Sequence, residues 1–376
     1  MDKANKCTNC GGGLHYSPAT NSLICEYCAT TFEVDSIATT NEKVPYSSNV
    51  SLKETTVSQY HCNSCGSNLN MYKNEVIKRC PNCGSMDLAI TNNITYIPDA
   101  IVPFEITKEK ATQNFYEWIK KRKFAPNNLK KLAKLGKLSG FYTPIWNFDC
   151  VTDTTYSGVG IDEHTSGDRK YTTSTNFSGR ISNKYKNILI SANKQISNIT
   201  LSKLGDYGLD KLKVYNIEYL CGFIGSDTDF DIHQCYREFN NFVRDAEYRA
   251  AKRERSGEFD RISSFKASTQ IYEPKFNYIY LPVWANYYTY KDKKYSCYIN
   301  GFTGKVTGTS PKSAGKIFAT VIGVLLAVVI AAVGIYHFVK EDSSLNPPPS
   351  NEITYSEEGI DTDLDFDFPE FQSYSL

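Results

Sequence analysis

The stretch "CNSCGSNLNMYKNEVIKRCPNCGS", residues 62–85, holds two C-x-x-C pairs separated by fourteen residues. A C-x-x-C turn presents both sulfurs to one centre, and two such knuckles complete a tetrahedral metal site. The arrangement has a twin upstream, where Cys7-x-x-Cys10 is followed after fourteen residues by Cys25-x-x-Cys28. Glycine follows three of the four pairs (Gly11, Gly66 and Gly84), where the turn favours positive φ, and Ala29 follows the fourth. Each module spans only about 25 residues, too few to bury a core, so the metal supplies its folding energy. The spacing therefore predicts two structural zinc ribbons. Cys7, Cys10, Cys25 and Cys28 would hold one Zn2+, and Cys62, Cys65, Cys80 and Cys83 the other. A thioredoxin-type dithiol would need a single C-x-x-C in a βαβ setting. Four thiolates fill the sphere and leave no open position for catalysis. His15 and His61 stand nearby, but with four cysteines available they are read as surface residues.

Outward from the ribbons, the composition changes twice. Residues 36–59 are polar and Ser/Thr-rich, suiting a flexible linker between ribbon 1 (residues 1–35) and ribbon 2 (residues 60–92). From residue 94 to about 310 the chain becomes aromatic-rich and alternating, which predicts an α+β domain. Residues 107–123 read as a helix capped by Thr107, with Phe115, Trp118 and Ile119 on one face. Residues 229–255 read as a second, longer helix. Tyr142-x-Pro144-x-Trp146 recurs as Tyr280-x-Pro282-x-Trp284. An internal duplication would explain it, and proline's missing donor predicts edge strands or strand starts there. The remaining cysteines, Cys150, Cys221, Cys235 and Cys297, are scattered singly and read as buried apolar side chains.

Residues 317–339, "IFATVIGVLLAVVIAAVGIYHFV", carry no acidic or basic side chain but His337. That length spans a hydrocarbon core. Lys291, Lys293, Lys294, Lys305, Lys312 and Lys316 precede the span, and only Lys340 separates it from an acidic tail, residues 340–376. The positive-inside bias predicts a single-pass cell-membrane protein with its N-terminal domains in the cytoplasm and its C-terminus outside. The tail, with ten acidic residues in 341–376 and three consecutive prolines, is predicted to be disordered. Residues 1–340 hold 42 basic against 31 acidic residues, a net charge of +11. Gly323, Ala327 and Ala331 make a small-residue stripe through which the helix would self-associate into a homo-oligomer.

No catalytic constellation stands out. "GFTGKVTG" at 301–308 lacks the spacing of a phosphate loop and reads as a turn between short strands. "DEH" at 162–164 is placed in a polar loop with nothing to shift a pKa. Nucleophile elbow, H-E-x-x-H and dinucleotide fingerprint are all absent from the sequence. Two basic clusters, Lys120–Lys137 and Arg249–Arg255, fit an anionic partner such as headgroups or nucleic acid.

Five segments carry a family likeness: "CTNCGGGLHYSPATNSLICEYCATTFEV", "IPDAIVPFEITKEKATQNFYEWIK", "GFYTPIWNFD", "YLCGFIG" and "YLPVWANYYTY…YINGFTGKVTG". In these the chain resembles the YdjG-like bacterial membrane-anchored double-zinc-ribbon proteins. The resemblance implies a membrane adaptor of envelope stress, with phage-shock-type, ESCRT-III-like or flotillin-like protein partners. The expectation is thus a non-catalytic membrane-anchored adaptor; the alternative is a membrane-tethered nucleic-acid-binding zinc-ribbon protein.

Overall fold

The computed structural model describes residues 6–34, 37, 41–64, 66–70, 80, 85–126, 129, 138–291 and 293–345. The chain forms two units, one up to Ser313 and one from Ala314 onward.

The first unit opens with a small antiparallel sheet of β1 (Leu14–Ser17), β2 (Ser22–Cys25) and β3 (Thr31–Glu33). After β4 (Val44–Pro45), a second antiparallel set follows: β5 (Glu54–Cys62), β6 (Asn68–Asn70) and β7 (Leu88–Tyr96). Then come β8 (Ala100–Ile101) and helix α1 (Lys108–Lys120). Thr107 caps α1 by accepting the Lys110 amide, and Ala111, Phe115, Trp118 and Ile119 bury its apolar face.

The frame of the unit is three long strands, β9 (Ser139–Ser166), β10 (Arg169–Ser191) and β13 (Arg261–Tyr290), in the order β10-β9-β13. Between β10 and β13 lie α2 (Asn198–Leu204), β11 (Lys213–Val214), β12 (Ile224–Ser226) and α3 (Ile232–Glu254). Strands β14 (Lys293–Asn300) and β15 (Val306–Gly308) extend the sheet beyond β13. Helix α3 lies on this frame through Ile232, Cys235, Phe239, Val243, Glu247 and Ala251. Asp231 and Gln234 form a capping box at its start.

The pairing of β12 with both β6 and β9 joins the second cysteine module to the frame, giving one twelve-stranded sheet. The first module is also seated: the Tyr16 amide donates to the Cys221 carbonyl at 2.8 Å, and Tyr16, Leu23 and Val34 belong to the main core. Tyr16 meets Tyr219 edge-on at 5.2 Å between ring centres, and Phe104 stacks on Phe223 at 4.2 Å. Such buried rings each contribute about 1.5–3 kcal/mol by leaving water. The first cysteine module therefore shares the main core with the aromatic domain, and the second, with a small cluster of its own, shares its sheet, where the sequence predicts separate modules.

Three further expectations are corrected. The segment read as a flexible linker, residues 36–59, is structured where it is described. Ile37 accepts the Val214 amide, β4 pairs with β13, Tyr46 stacks on Tyr236 at 3.7 Å, and β5 begins at Glu54. Its Ser/Thr-rich composition equally suits strands with one solvated face.

The two Y-x-P-x-W motifs lie in the middle of the sheet, not at an edge. Tyr142 pairs with Pro282 and Pro144 with Tyr280, so the motifs cross about a local two-fold axis. Each proline sits where the outer neighbour of its strand changes. On β9 the neighbour passes from β10 to β12, and on β13 from β8 to β14. The Pro144 carbonyl accepts Ala192 N and the Pro282 carbonyl accepts Gly301 N, so both residues turn their missing donor toward that seam. "DEH" at 162–164 lies in β9 and not in a loop.

The second unit is one helix, α4 (Ala314–Leu345), with residues 314–337 long and apolar enough to cross a membrane. Of the predicted tail, residues 340–345 continue α4, and 346–376 lie outside the described residues.

Candidate metal centre

Each C-x-x-C pair is shaped by a backbone turn that repeats from module to module. The amide of the first cysteine donates to the carbonyl five residues on: Cys7 to Gly12, Cys25 to Thr30, Cys62 to Ser67 and Cys80 to Ser85, at 2.7–3.0 Å. The carbonyl of that cysteine accepts the amide four residues on, from Gly11, Ala29 and Gly66 to Cys7, Cys25 and Cys62. That donor must sit at positive φ, and it does: +71° at Gly11, 56° at Ala29 and +72° at Gly66.

In the first module these turns bring Cys7, Cys10, Cys25 and Cys28 together, with all four sulfurs within 4.8 Å of one another. Cys7 Sγ lies 3.6 Å from Cys28 Sγ, and Cys10 Sγ lies 3.4 Å from Cys25 Sγ. A tetrahedron with metal–sulfur bonds of about 2.3 Å has edges of about 3.8 Å, so the donor set fits one metal ion. Gly12 closes the site from behind. A Cβ there would stand 3.1 Å from Cys25 Sγ and 3.3 Å from Cys10 Sγ.

The thiols are electrostatically unequal. The Thr30 hydroxyl, 3.0 Å from Cys28 Sγ, and then the Thr30 amide lower the Cys28 thiol to about 6. The Gly12 amide favours the Cys10 thiolate, but hydrogen bonds with Cys28 and Cys25 outweigh it and raise Cys10 to about 12. Thr30, Gly12 and the 86 % exposed ring of Tyr27 are the site residues that cysteine spacing does not reveal. The glycine run after Cys10 is the signal that was available for Gly12.

In the second module Cys62 and Cys80 are buried beside Tyr60 and Leu69. Cys65 and Cys83 lie outside the described residues. His15 lies beside Glu26, and His61 Nδ1 is 2.7 Å from Asn68 Oδ1; neither joins the thiol group.

The other predicted features are dispersed. Cys150, Cys221, Cys235 and Cys297 are buried, and burial pushes the Cys150 and Cys235 thiols up to about 12. Asn300 Oδ1 accepts the Phe302 and Thr303 amides, making "GFTGKVTG" a turn between β14 and β15. Lys120–Lys123 are exposed, whereas Lys130, Lys131, Lys134 and Lys137 lie outside the described residues. In the second basic cluster, Arg255 is engaged by Glu258 and the Tyr156 hydroxyl.

One polar cluster was not foreseen. Glu247 is fully enclosed beneath α3, and its carboxylate accepts from the Thr154 hydroxyl at 2.6 Å, Tyr185 hydroxyl at 2.7 Å and Asn183 amide at 2.8 Å. Burial pushes its pKa up, but these donors outweigh burial and hold it below the ordinary glutamate value.

The chain is similar to the uncharacterized protein YdjG of Bacillus subtilis (strain 168). The two are 26% identical over 334 residues, spanning 85% of this chain and 93% of the relative. That extent supports the YdjG-like resemblance over most of the chain. No protein-family profile matches the chain, and no solved structure matches it.

Proposed function

We propose that the chain is a non-catalytic adaptor, anchored in the membrane by α4, whose two four-cysteine sites each hold a structural zinc ion. The reading rests above all on the first thiol centre. Its four sulfurs converge on one point, which leaves a bound zinc no open coordination position. Beside it Tyr27 offers an aromatic ring to solvent, the kind of side chain that anchors protein interfaces. The buried single cysteines, with thiols raised or enclosed, add no nucleophile. In this reading the body faces the cytoplasm, and the family likeness directs the choice of partner to phage-shock-type or flotillin-like proteins.

The equivalent turns at Cys62 and Cys80 support a second zinc ion, completed by Cys65 and Cys83. Metal analysis of the purified chain is expected to find two zinc ions per chain, with Cys7→Ser/Cys10→Ser removing one. A single zinc in the wild type would end the second assignment.

Affinity purification from solubilised membranes tests the adaptor role. The wild type is expected to retain a specific protein that Tyr27→Ala loses, with zinc content unchanged. No specific protein, or one indifferent to Tyr27→Ala, counts against docking at the ribbon. Retained nucleic acid that dissociates steeply with salt would favour the nucleic-acid alternative.

A further inference from the structure

We propose that the C-terminal end of α1 and the turn after it form a binding patch for the headgroups of anionic lipids. The inference rests on the reading of α4 as a membrane anchor. Lys120, Lys121, Arg122 and Lys123 are consecutive and exposed, and Phe124 follows with its ring 41 % exposed. The Ser313 amide donates to the Phe124 carbonyl at 2.7 Å. Ser313 is the last residue of the body, and the apolar helix begins at Ala314. This one hydrogen bond therefore fixes the four cations beside the point where the chain leaves the body. Lys312, exposed and adjacent to Ser313, adds a fifth.

The approach segment is itself tied down. Thr309 N donates to Ser296 O at 3.0 Å, and the Tyr288 hydroxyl donates to Thr309 O at 2.9 Å. On the other side, α1 is held rigid by Phe115, Trp118 and Ile119 in the core. Arg122 lies 4.3 Å over the Trp118 ring, which fixes its guanidinium at the surface. Lys120, Lys121 and Lys123 make no ion pair among the described residues. Glu117, the one carboxylate in the last turns of α1, accepts from Gln113. A helix C-terminus needs only one cation to complement its dipole, and Lys121–Lys123 lie past the end of α1. Headgroup phosphates account for the surplus. Juxtamembrane cations are drawn to anionic leaflets, and an interfacial aromatic such as Phe124 suits the same depth.

The test uses the full chain reconstituted into vesicles. Flotation with phosphatidylcholine vesicles checks the anchor alone. Lysine acylation footprinting then compares those vesicles with ones containing phosphatidylglycerol. Lys120, Lys121 and Lys123 are expected to label at least about three-fold more slowly on the anionic surface, with the difference lost at high salt. Lys170 and Lys203, exposed on β10 and α2, serve as controls and are expected to label equally. A chain that fails to float overturns the membrane reading on which the patch rests. A chain that floats but labels its patch equally on both surfaces overturns the patch alone. Protection on neutral vesicles by free glycerol phosphate would overturn its assignment to the bilayer.

Discussion

At the scale of single residues, Ala29 and Glu247 carry the clearest expectations. Ala29 holds the left-handed conformation that Gly11 and Gly66 occupy in the sister turns. An L side chain there is strained, while glycine loses more freedom on folding. Ala29→Gly is therefore expected to stabilise the first module by up to about 1 kcal/mol, read as tighter retention of zinc against a chelator. Weaker retention would contradict the strain. Glu247 has a folded-state pKa below its unfolded value of about 4.3, so its contribution is complete above that pH. The contribution is lost as pH falls through the folded value. Thermal unfolding of the wild type should therefore weaken below about pH 4.3, and Glu247→Gln should flatten that acid limb. The variant should also cost about 1–3 kcal/mol at neutral pH, because one oxygen can no longer accept from its donors. An unchanged acid limb would show that another carboxylate governs it.

At the scale of elements, the long β9–β10 hairpin shows how glycine and aromatic residues divide a strand pair. Gly158 faces Phe177 and Gly179 faces Tyr156 across the ladder, and each ring lies over its glycine. A Cβ at Gly179 would stand 2.2 Å from the Tyr156 hydroxyl, which also bonds Glu254 of α3. Gly179→Val should push the ring aside and cost about 1–3 kcal/mol, seen as faster amide exchange along β10. Exchange unchanged from the wild type would mean the ring can relocate freely. Much of this level was legible in the sequence. Thr107 and the Phe115–Trp118–Ile119 face gave α1, and "GFTGKVTG" gave the β14–β15 turn, because caps and turns depend on near neighbours. The central place of Pro144 and Pro282 was not legible. It depends on a seam built by β8, β10, β12 and β14, which no local pattern describes. Glu247 was hidden for the same reason, since its donors come from β9 and β10.

At the scale of the whole molecule, the first cysteine module is part of the main core and the second is part of its sheet, although their spacing alone suggested detachable handles. Spacing gave the four cysteines that converge in the first centre but not the seat of Tyr16 on Cys221, which joins residues far apart in the chain. Removing metal with a strong chelator should therefore raise amide exchange at Phe104, Cys221 and Phe223 as well as in residues 6–34. Exchange confined to residues 6–34 would restore the picture of an independent handle. The same long-range closure imposes an order on synthesis. At about 5–20 residues per second, the seat at Cys221 is made about 10–40 s after the first ribbon. For that interval, on the zinc reading proposed above, the ribbon has only its metal to hold it. Strand β13, which pairs with β4, β8, β9 and β14, is made later still, and only β14 and β15 separate it from the apolar helix. A nascent chain thus carries β9 with one long edge open, the other being closed by β10, until β13 arrives shortly before the candidate membrane helix is translated. If α4 is the membrane anchor proposed above, final closure of the sheet and insertion into the bilayer fall due close together, and whatever shields nascent chains must cover both.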